Sequence, residues 1–325
     1  MSVVAAEDRP TTITHRFVVE AECDGWRLDR FLQKRIPRLS RARLQRVIRG
    51  ECWLDERACR PSSPVLPGQV VRFIRPAPVE PEVPRTLPVL YTDDAFYVVD
   101  KPAGIAMHPT AKFHYATVTA VLRELFPAEK LEICHRLDLE TSGALVVART
   151  KEATIAIKKS FARRQVDKTY LAVAHWPEAL ADHGVIDLPL GLEVKGLTRV
   201  KMVVTPVDKG GLPSRTRYEV VERCGSYALV QCYPQTGRQH QIRAHLDAIG
   251  APIVADKLYP DAQIFVDYQD AGWEAVEDRL PLRRHALHAH RIVFPHPTTG
   301  VPVEVESPLP ASLQGLFAGA SLDVG

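Results

Sequence analysis

The chain of 325 residues has no C-x-x-C pair. Its six cysteines, Cys23, Cys52, Cys59, Cys134, Cys224 and Cys232, are scattered, which argues against both a zinc site and a disulfide framework and points to reduced thiols. No apolar run reaches the roughly 18 residues that a membrane span needs, so no membrane partner is expected. The opening MSVVAAEDRPTTITHR lacks the basic-then-apolar order of a secretory signal, and a cytoplasmic protein is expected. A Walker A sequence is also missing, so nucleotide hydrolysis has no phosphate cradle. Neither charge sign dominates: 42 Lys and Arg face 39 Asp and Glu, a net +3 that identifies no partner.

What is present is uneven. Between Trp26 and Arg49 lie nine Lys or Arg residues and one acid, Asp29. The stretch RLDRFLQKRIPRLSRARLQRVIRGE reads as two short helices. Leu28, Phe31 and Leu32 recur at helical spacing until Pro37, and Ser40 and Gly50 bracket a second helix with Leu44, Val47 and Ile48 on one arc. The remaining circumference carries Arg41, Arg43, Arg46 and Arg49. A solvated charged face is the plain alternative, but charge of one sign repels itself unless a polyanion offsets it, which favours nucleic acid. Two strand candidates follow, ECWLDERAC and VLPGQVVRFI.

Prolines at 76, 78, 81, 84 and 88 mark a semi-rigid spacer. The expected organisation is a leader strand over 1–23, a small α/β module over 24–75, a linker over 76–87, a larger domain over 88–310 and a weakly ordered tail over 311–325. In the larger domain, AFYVVD, GALVVA, TYLAVAH, RVKMVVT, RTRYEVVER and SYALVQCY read as strands, and TVTAVLRELF and KEATIAIKKSFARRQ as helices. Connections too short for a crossover helix predict an α+β fold with a mixed, largely antiparallel sheet.

The stretch HRLDLETSGALVVART sets Asp138 two residues after Arg136 and ahead of Thr141, Ser142 and Gly143. On residue type alone, Asp138 and Arg136 could form a structural ion pair. A kinase loop is disfavoured, because there the aspartate follows His-Arg directly and neither a Gly-rich loop nor Asp-Phe-Gly is found. HALHAH, with His285, His288 and His290, is the best metal candidate, yet no acidic partner lies near it in sequence. A lone carboxylate without metal or phosphate loop points to chemistry by the side chain itself.

HRLDLETSG fits, at every fixed position, the H-R-L-D-x-x-T-S-G motif of the RluA-type pseudouridine synthases. Four more blocks agree in order: VVDKPAGIAMHP, KTYLAV, PQTGRQHQIRAHLDAIGAPIVADKLY and LHAHRIVFPHP. The chain therefore resembles that family from about residue 88 to 310. Residues 24–75 resemble the RNA-binding module first seen in a small-subunit ribosomal protein. ECWLDERA stands where that module usually has a valine and an Asn-Gly turn. His175 and Gln239 depart from a usual glycine and threonine in the synthase blocks, which bears on substrate fit.

The resemblance implies cleavage of a uridine's glycosidic bond, rotation of the uracil and rejoining through C5, with no cofactor because no atom is gained or lost. It implies Asp138 as the ionised carboxylate, Arg243 as its counter-ion, Tyr170 stacked on the base, Arg136 entering the RNA stack and Leu287 lining the uracil pocket. Whether Asp138 attacks the sugar, adds to the base or removes a sugar proton stays open. His135, Thr141, Ser142 and Gly143 are expected to shape the loop, and Lys101, Arg238 and His240 to make structural or backbone contacts. QTGRQHQIRAHLDAIG reads as a loop entering a helix that Gly250 stops, with Gln239, His240 and Arg243 on one helical stripe. Arg27, Arg41, Arg43 and Arg46 are expected to contact RNA. The expected partner is large-subunit ribosomal RNA, with transfer RNA next, and the chain is expected to be a monomer. Two rivals are a binding protein that has lost catalysis, which the intact Asp138, Tyr170 and Arg243 count against, and a carboxylate glycosidase. The glycosidase needs a second acid about 5 to 9 Å away, and none is evident.

Overall fold

The computed structural model describes residues 12–37, 40–76, 80–110 and 113–320; at 41, 43, 51, 75, 76 and 318–320 the backbone alone is described. The chain divides into two compact units, Met1–Val79 and Glu80–Gly325.

The smaller unit contains β1 (Thr12–Val18), α1 (Leu28–Arg35), α2 (Arg41–Glu51), β2 (Cys52–Leu54), β3 (Arg57–Ala58) and β4 (Val70–Pro76). Its antiparallel sheet has the order β1-β4-β2-β3. The apolar stripes behave as their spacing dictates: Leu28, Phe31 and Leu32 of α1 and Leu44 and Ile48 of α2 are buried in one core with Val65 and Val71. Gly50 does not end α2. The helix reaches Glu51 and runs straight into β2, where Cys52 pairs with Phe73. ECWLDERAC folds as a hairpin with Asp55 and Glu56 both at positive φ (46° and 66°), the geometry that Asn-Gly usually fills. Asp55 is held there by β4: its N–H donates to Val70 O (3.0 Å), and its Oδ1 accepts from Val70 N (2.8 Å).

The larger unit contains β5 (Val89–Thr92), β6 (Phe96–Lys101), α3 (Val118–Leu125), β7 (Glu132–Ile133), β8 (Ser142–Ala148), α4 (Lys151–Ala162), β9 (Asp167–His175) and β10 (His183–Asp187). These are followed by β11 (Leu190–Leu192), β12 (Met202–Val204), β13 (Arg215–Cys224), β14 (Tyr227–Pro234), α5 (Gln241–Ala248), α6 (Ala262–Ala271), β15 (Leu287–Pro295), β16 (Pro302–Glu306) and α7 (Ala311–Ala320). The main sheet runs β10-β13-β14-β9-β15-β8-β6-β5, with β16 on β15 and β7 on β8. Among the described strands of the main sheet only β8 and β15 pair in parallel, so the fold is α+β with a largely antiparallel sheet. RVKMVVT keeps only Met202–Val204 as strand and pairs with β11, apart from the main sheet.

β8 is buried along its whole length, and its alternate residues enter two cores. Leu145 and Val147 pack with Val118, Val121 and Leu122 of α3, while Ala144, Val146 and Ala148 pack with Ala153 and Ile157 of α4. Thr117 and Thr150 cap these helices through hydroxyls that accept from Ala120 N and Ala153 N.

Two expectations about the flanks change. Part of the proline-rich stretch is not a free spacer. Glu80 accepts from the backbone N–H groups of His114, Tyr115 and Ala116, Arg85 pairs with Glu124, and Leu87 is buried. Nor are residues 311–320 a loose tail. They form α7, whose Leu313 is fully buried beside the α5 core, because an apolar residue there finds a sheet face to cover.

Candidate active site

The parallel pairing of β8 and β15 aligns Ser142 with His288 and Gly143 with Ala289. Gly143 has φ +116°, and a Cβ on it would lie 2.2 Å from Ala289 O, so only glycine permits this approach. Thr141 Oγ1 meets His285 Nε2 at 2.8 Å, Ser142 Oγ meets His288 Nδ1 at 2.8 Å, and Arg284 Nη1 donates to Ser142 Oγ at 2.8 Å. HALHAH therefore braces the back of the Asp138 turn. Among the described residues no group of three His, Cys, Asp or Glu side chains is placed to hold a metal ion.

The same turn is fastened from two other directions. Buried Lys101 donates through Nζ to Pro102 O (3.0 Å), Leu139 O (3.1 Å) and Thr141 O (2.8 Å). Burial, and then Arg284, push Lys101 down to about 7; three carbonyls that each accept one proton favour the ammonium. Glu140 accepts from Lys257 Nζ (2.7 Å) and His285 N (3.0 Å). His135 accepts Val146 N–H through Nε2 (3.1 Å) and stacks on Phe161, and burial lowers it to about 3, so it is neutral.

So held, Asp138 borders a cavity of about 630 Å³ lined by Arg136, Lys168, Tyr170, His240, Arg243 and Leu287 among others. Arg243 reaches it from α5: Nη1 donates to Asp138 Oδ2 at 3.0 Å. The rest of the guanidinium is committed to Asp256, with Nε to Oδ2 at 2.6 Å and Nη2 to Oδ1 at 2.9 Å. Asp256 is fully buried and also accepts from Leu258 N and Tyr259 N. Burial pushes Asp138 up, but Arg243 and lesser neighbours outweigh it, and the carboxyl sits below its ordinary range. Tyr170 is driven the other way: burial, then the Asp138 charge, raise it, so its hydroxyl keeps its proton at neutral pH. The cavity thus joins an ionised carboxylate to a protonated phenol under an apolar wall.

Residues 95–248 match the family model described as RNA pseudouridylate synthase. A ribosomal large subunit pseudouridine synthase D from Xanthomonas campestris is 34% identical over 314 residues, covering 94% of this chain and 92% of its own. The chain belongs to the RNA pseudouridine synthase family. It is thus an isomerase that converts uridine in RNA to pseudouridine. A ribosomal large subunit pseudouridine synthase C from Vibrio vulnificus is 32% identical, covering 91% of this chain and 93% of its own. Among solved structures, human RNA pseudouridylate synthase domain containing 1 superposes with a TM-score of 0.56 at 27% identity, over 74% of this chain and 97% of its own.

The synthase brings Asp138, Tyr170, Arg243, Arg136 and Leu287 to one cavity. Arg136 is exposed, and its side chain makes no ion pair or hydrogen bond among the described residues, so a local pair with Asp138 is not formed. The expected helical stripe is not formed either. α5 begins at Gln241, Gln239 precedes it in a turn, and His240 is left-handed at φ 52°. Gln241 makes this necessary: its amide bonds Thr216 Oγ1 and Arg215 O, and its Oε1 accepts from Thr236 Oγ1 and Arg238 N, which pulls the turn under β13.

Asp256 was missed by sequence reading. Its only signal is an acid inside the apolar run PIVADKLY, 13 residues after Arg243. Asp256 is also the second acid near Asp138, but both its oxygens are taken and it does not line the cavity, as a glycosidase partner would have to.

In the smaller unit, Arg27 grips buried Asp29 with two bonds (3.1 and 3.0 Å), and Gln45 donates to the same carboxylate (2.9 Å). Arg27, Gln45, Arg49, Arg60 and Ser62 border a cleft of about 420 Å³. Arg46 is exposed, whereas the side chains of Arg41 and Arg43 lie outside the described residues.

Proposed function

We propose that the synthase isomerises uridines of large-subunit ribosomal RNA, with Asp138 as the ionised carboxylate that acts on the target nucleotide. The observation that carries this reading is the Asp138–Arg243–Asp256 chain. Asp256 takes Nε and Nη2 of Arg243, and the remaining nitrogen, Nη1, donates to Asp138, the one of the two carboxylates that borders the cavity. A carboxylate in a site with little water keeps its charge only beside such a cation. Tyr170 stacks on the uracil, and Leu287, 4% exposed, closes the apolar side. Taking a base out of its stack costs about a few kcal/mol, and the planar guanidinium of Arg136, at the rim and without a partner among the described residues, fills the place it leaves.

The relatives' names support ribosomal RNA as the substrate. The smaller unit is the RNA-binding module, with Arg27, Arg41, Arg43 and Arg46 on phosphates, and its Arg27–Arg49–Arg60 cleft suits a phosphate. The enzyme works as a cytoplasmic monomer and needs no redox or energy cofactor, since substrate and product are isomers. Purified protein is incubated with large-subunit ribosomal RNA and with transfer RNA, and pseudouridine is mapped by mass spectrometry. Product in ribosomal RNA that is abolished by Asp138→Ala is expected. Product confined to transfer RNA would overturn the substrate, and an Asp138→Ala enzyme as active as wild type would overturn the site.

A further inference from the structure

His240 differs from the other polar residues of the cavity in carrying a side-chain polar atom that is sealed from solvent and has no hydrogen-bond partner among the described residues. Its Nδ1 is buried and unpaired, and the ring stands edge-on to Tyr259 with centroids 6.1 Å apart. Its backbone is left-handed (φ 52°, ψ 19°), which costs a side chain other than glycine or asparagine about 1 kcal/mol. Strain and an unpaired polar atom at one residue both work against folding, and residues that carry both concentrate where a ligand completes them.

The ring's protonation follows from its surroundings. Burial, and then the Arg243 charge, lower His240 to about 4, so the imidazole is neutral at neutral pH and has one donor and one acceptor nitrogen. A buried N–H without an acceptor is the rarer and costlier arrangement, which leaves the bare lone pair on sealed Nδ1 and the proton on Nε2. Nε2 is not among the sealed atoms, and His240 lines the cavity close enough to Asp138 for each to shift the other's titration.

We propose that His240 donates its Nε2–H to a carbonyl oxygen of the target uracil, next to Asp138. This rests on the cavity being the nucleotide site. A neutral donor suits the task, since it binds the oxygen that gains negative charge when the glycosidic bond breaks, without neutralising Asp138. At the uracil O4 it would also disfavour cytosine, which presents an amino group there.

The test uses full-length enzyme under single-turnover conditions on RNA carrying uridine, 2-thiouridine, 4-thiouridine or 2′-deoxyuridine at the target. His240→Phe keeps a planar ring and removes both nitrogens. His240→Asn tolerates the left-handed backbone but is too short to reach. Both variants should melt with the wild type and convert uridine about 10- to 100-fold more slowly, as expected for loss of a donor to developing charge. One of the two thio penalties seen with wild type should vanish in His240→Phe, since the interaction it weakens is already gone. Wild-type rates in both variants, both thio penalties persisting in full, or dependence of the 2′-deoxy penalty alone on His240 would overturn the proposal. If wild-type enzyme forms no pseudouridine while it still binds the RNA, the function reading itself has failed.

Discussion

The floor and the rim of the cavity each offer an arginine, and the two are treated in opposite ways. On the floor, Arg243 is 8% exposed and spends its guanidinium on two carboxylates, one of which is wholly buried. At the rim, Arg136 is exposed and its side chain has no ion pair or hydrogen bond among the described residues. The segment that follows Asp138, from Leu139 to Gly143, is tied to Lys101, Lys257, His285 and His288. The floor is therefore tied into the fold, whereas the rim side chain stands exposed. The proposed roles fit this contrast: preorganised charge costs nothing to arrange at the moment of reaction, while a group that enters an RNA stack has to be free beforehand.

Breaking the floor should have the largest effect. Arg243→Gln leaves Asp138 and Asp256 without their cation, and should lower the rate at least about 100-fold and stability by about 3 to 5 kcal/mol, read by single-turnover assay and urea unfolding. The pH dependence should change as well. A carboxyl depressed on folding adds stability above its unfolded pKa and loses it as pH falls through the folded value. In the wild type, the acidic limb belonging to Asp138 lies below the ordinary carboxylate range, and without Arg243 burial dominates and the limb moves to higher pH. A limb that stays in place would mean that Arg243 does not set the Asp138 charge.

Next in size is Gly143→Ala, which attacks the brace behind the floor. With Ala289 O in the way, it should cost about 2 to 4 kcal/mol of stability by urea unfolding. A loss below 0.5 kcal/mol, roughly the scale of a neutral surface change, would show that β8 and β15 can part without harm. At the rim, Arg136→Ala should slow conversion about 10-fold with the melting temperature unchanged, and nearly restore the wild-type rate when the target uridine is already unpaired and unstacked. Equal slowing on both RNAs would move Arg136 from the rim to the floor in function. Smallest is the double change Arg46→Ala and Arg49→Ala in the other unit. It should reduce the slope of log affinity against log salt by about 1.4 to 1.8, with catalysis of bound RNA intact. An unchanged slope would show those arginines idle.

The parts of the molecule legible in sequence were those governed by local rules. Leu28, Phe31 and Leu32 announced α1 by spacing, and the short apolar runs AFYVVD and GALVVA announced β6 and β8. Elements were misjudged where a distant surface decided. Residues 311–320 carry little local signal and become α7 because a sheet face needs covering. Gln239, His240 and Arg243 have the spacing of one helical stripe, yet Gln241 is held by Thr216 and Arg215, which turns His240 left-handed. Thr141, Ser142 and Gly143 were expected to shape the loop, but Ser142 and Gly143 open β8, and the reason for the glycine, the approach of Ala289, was not visible.

The sequence by itself determined the family, the α+β class, the basic character of the first helices and the position of the aspartate proposed to react, because ordered motifs and periodicity are written along the chain. Tertiary structure decided what that aspartate meets. Arg136 is two residues away and turns outward, while Arg243, 105 residues on, donates to it at 3.0 Å and is itself held by Asp256. The charge state of a buried carboxyl depends on neighbours within a few ångströms, and which residues those are is fixed by how β8, β15 and α5 pack, not by distance along the chain.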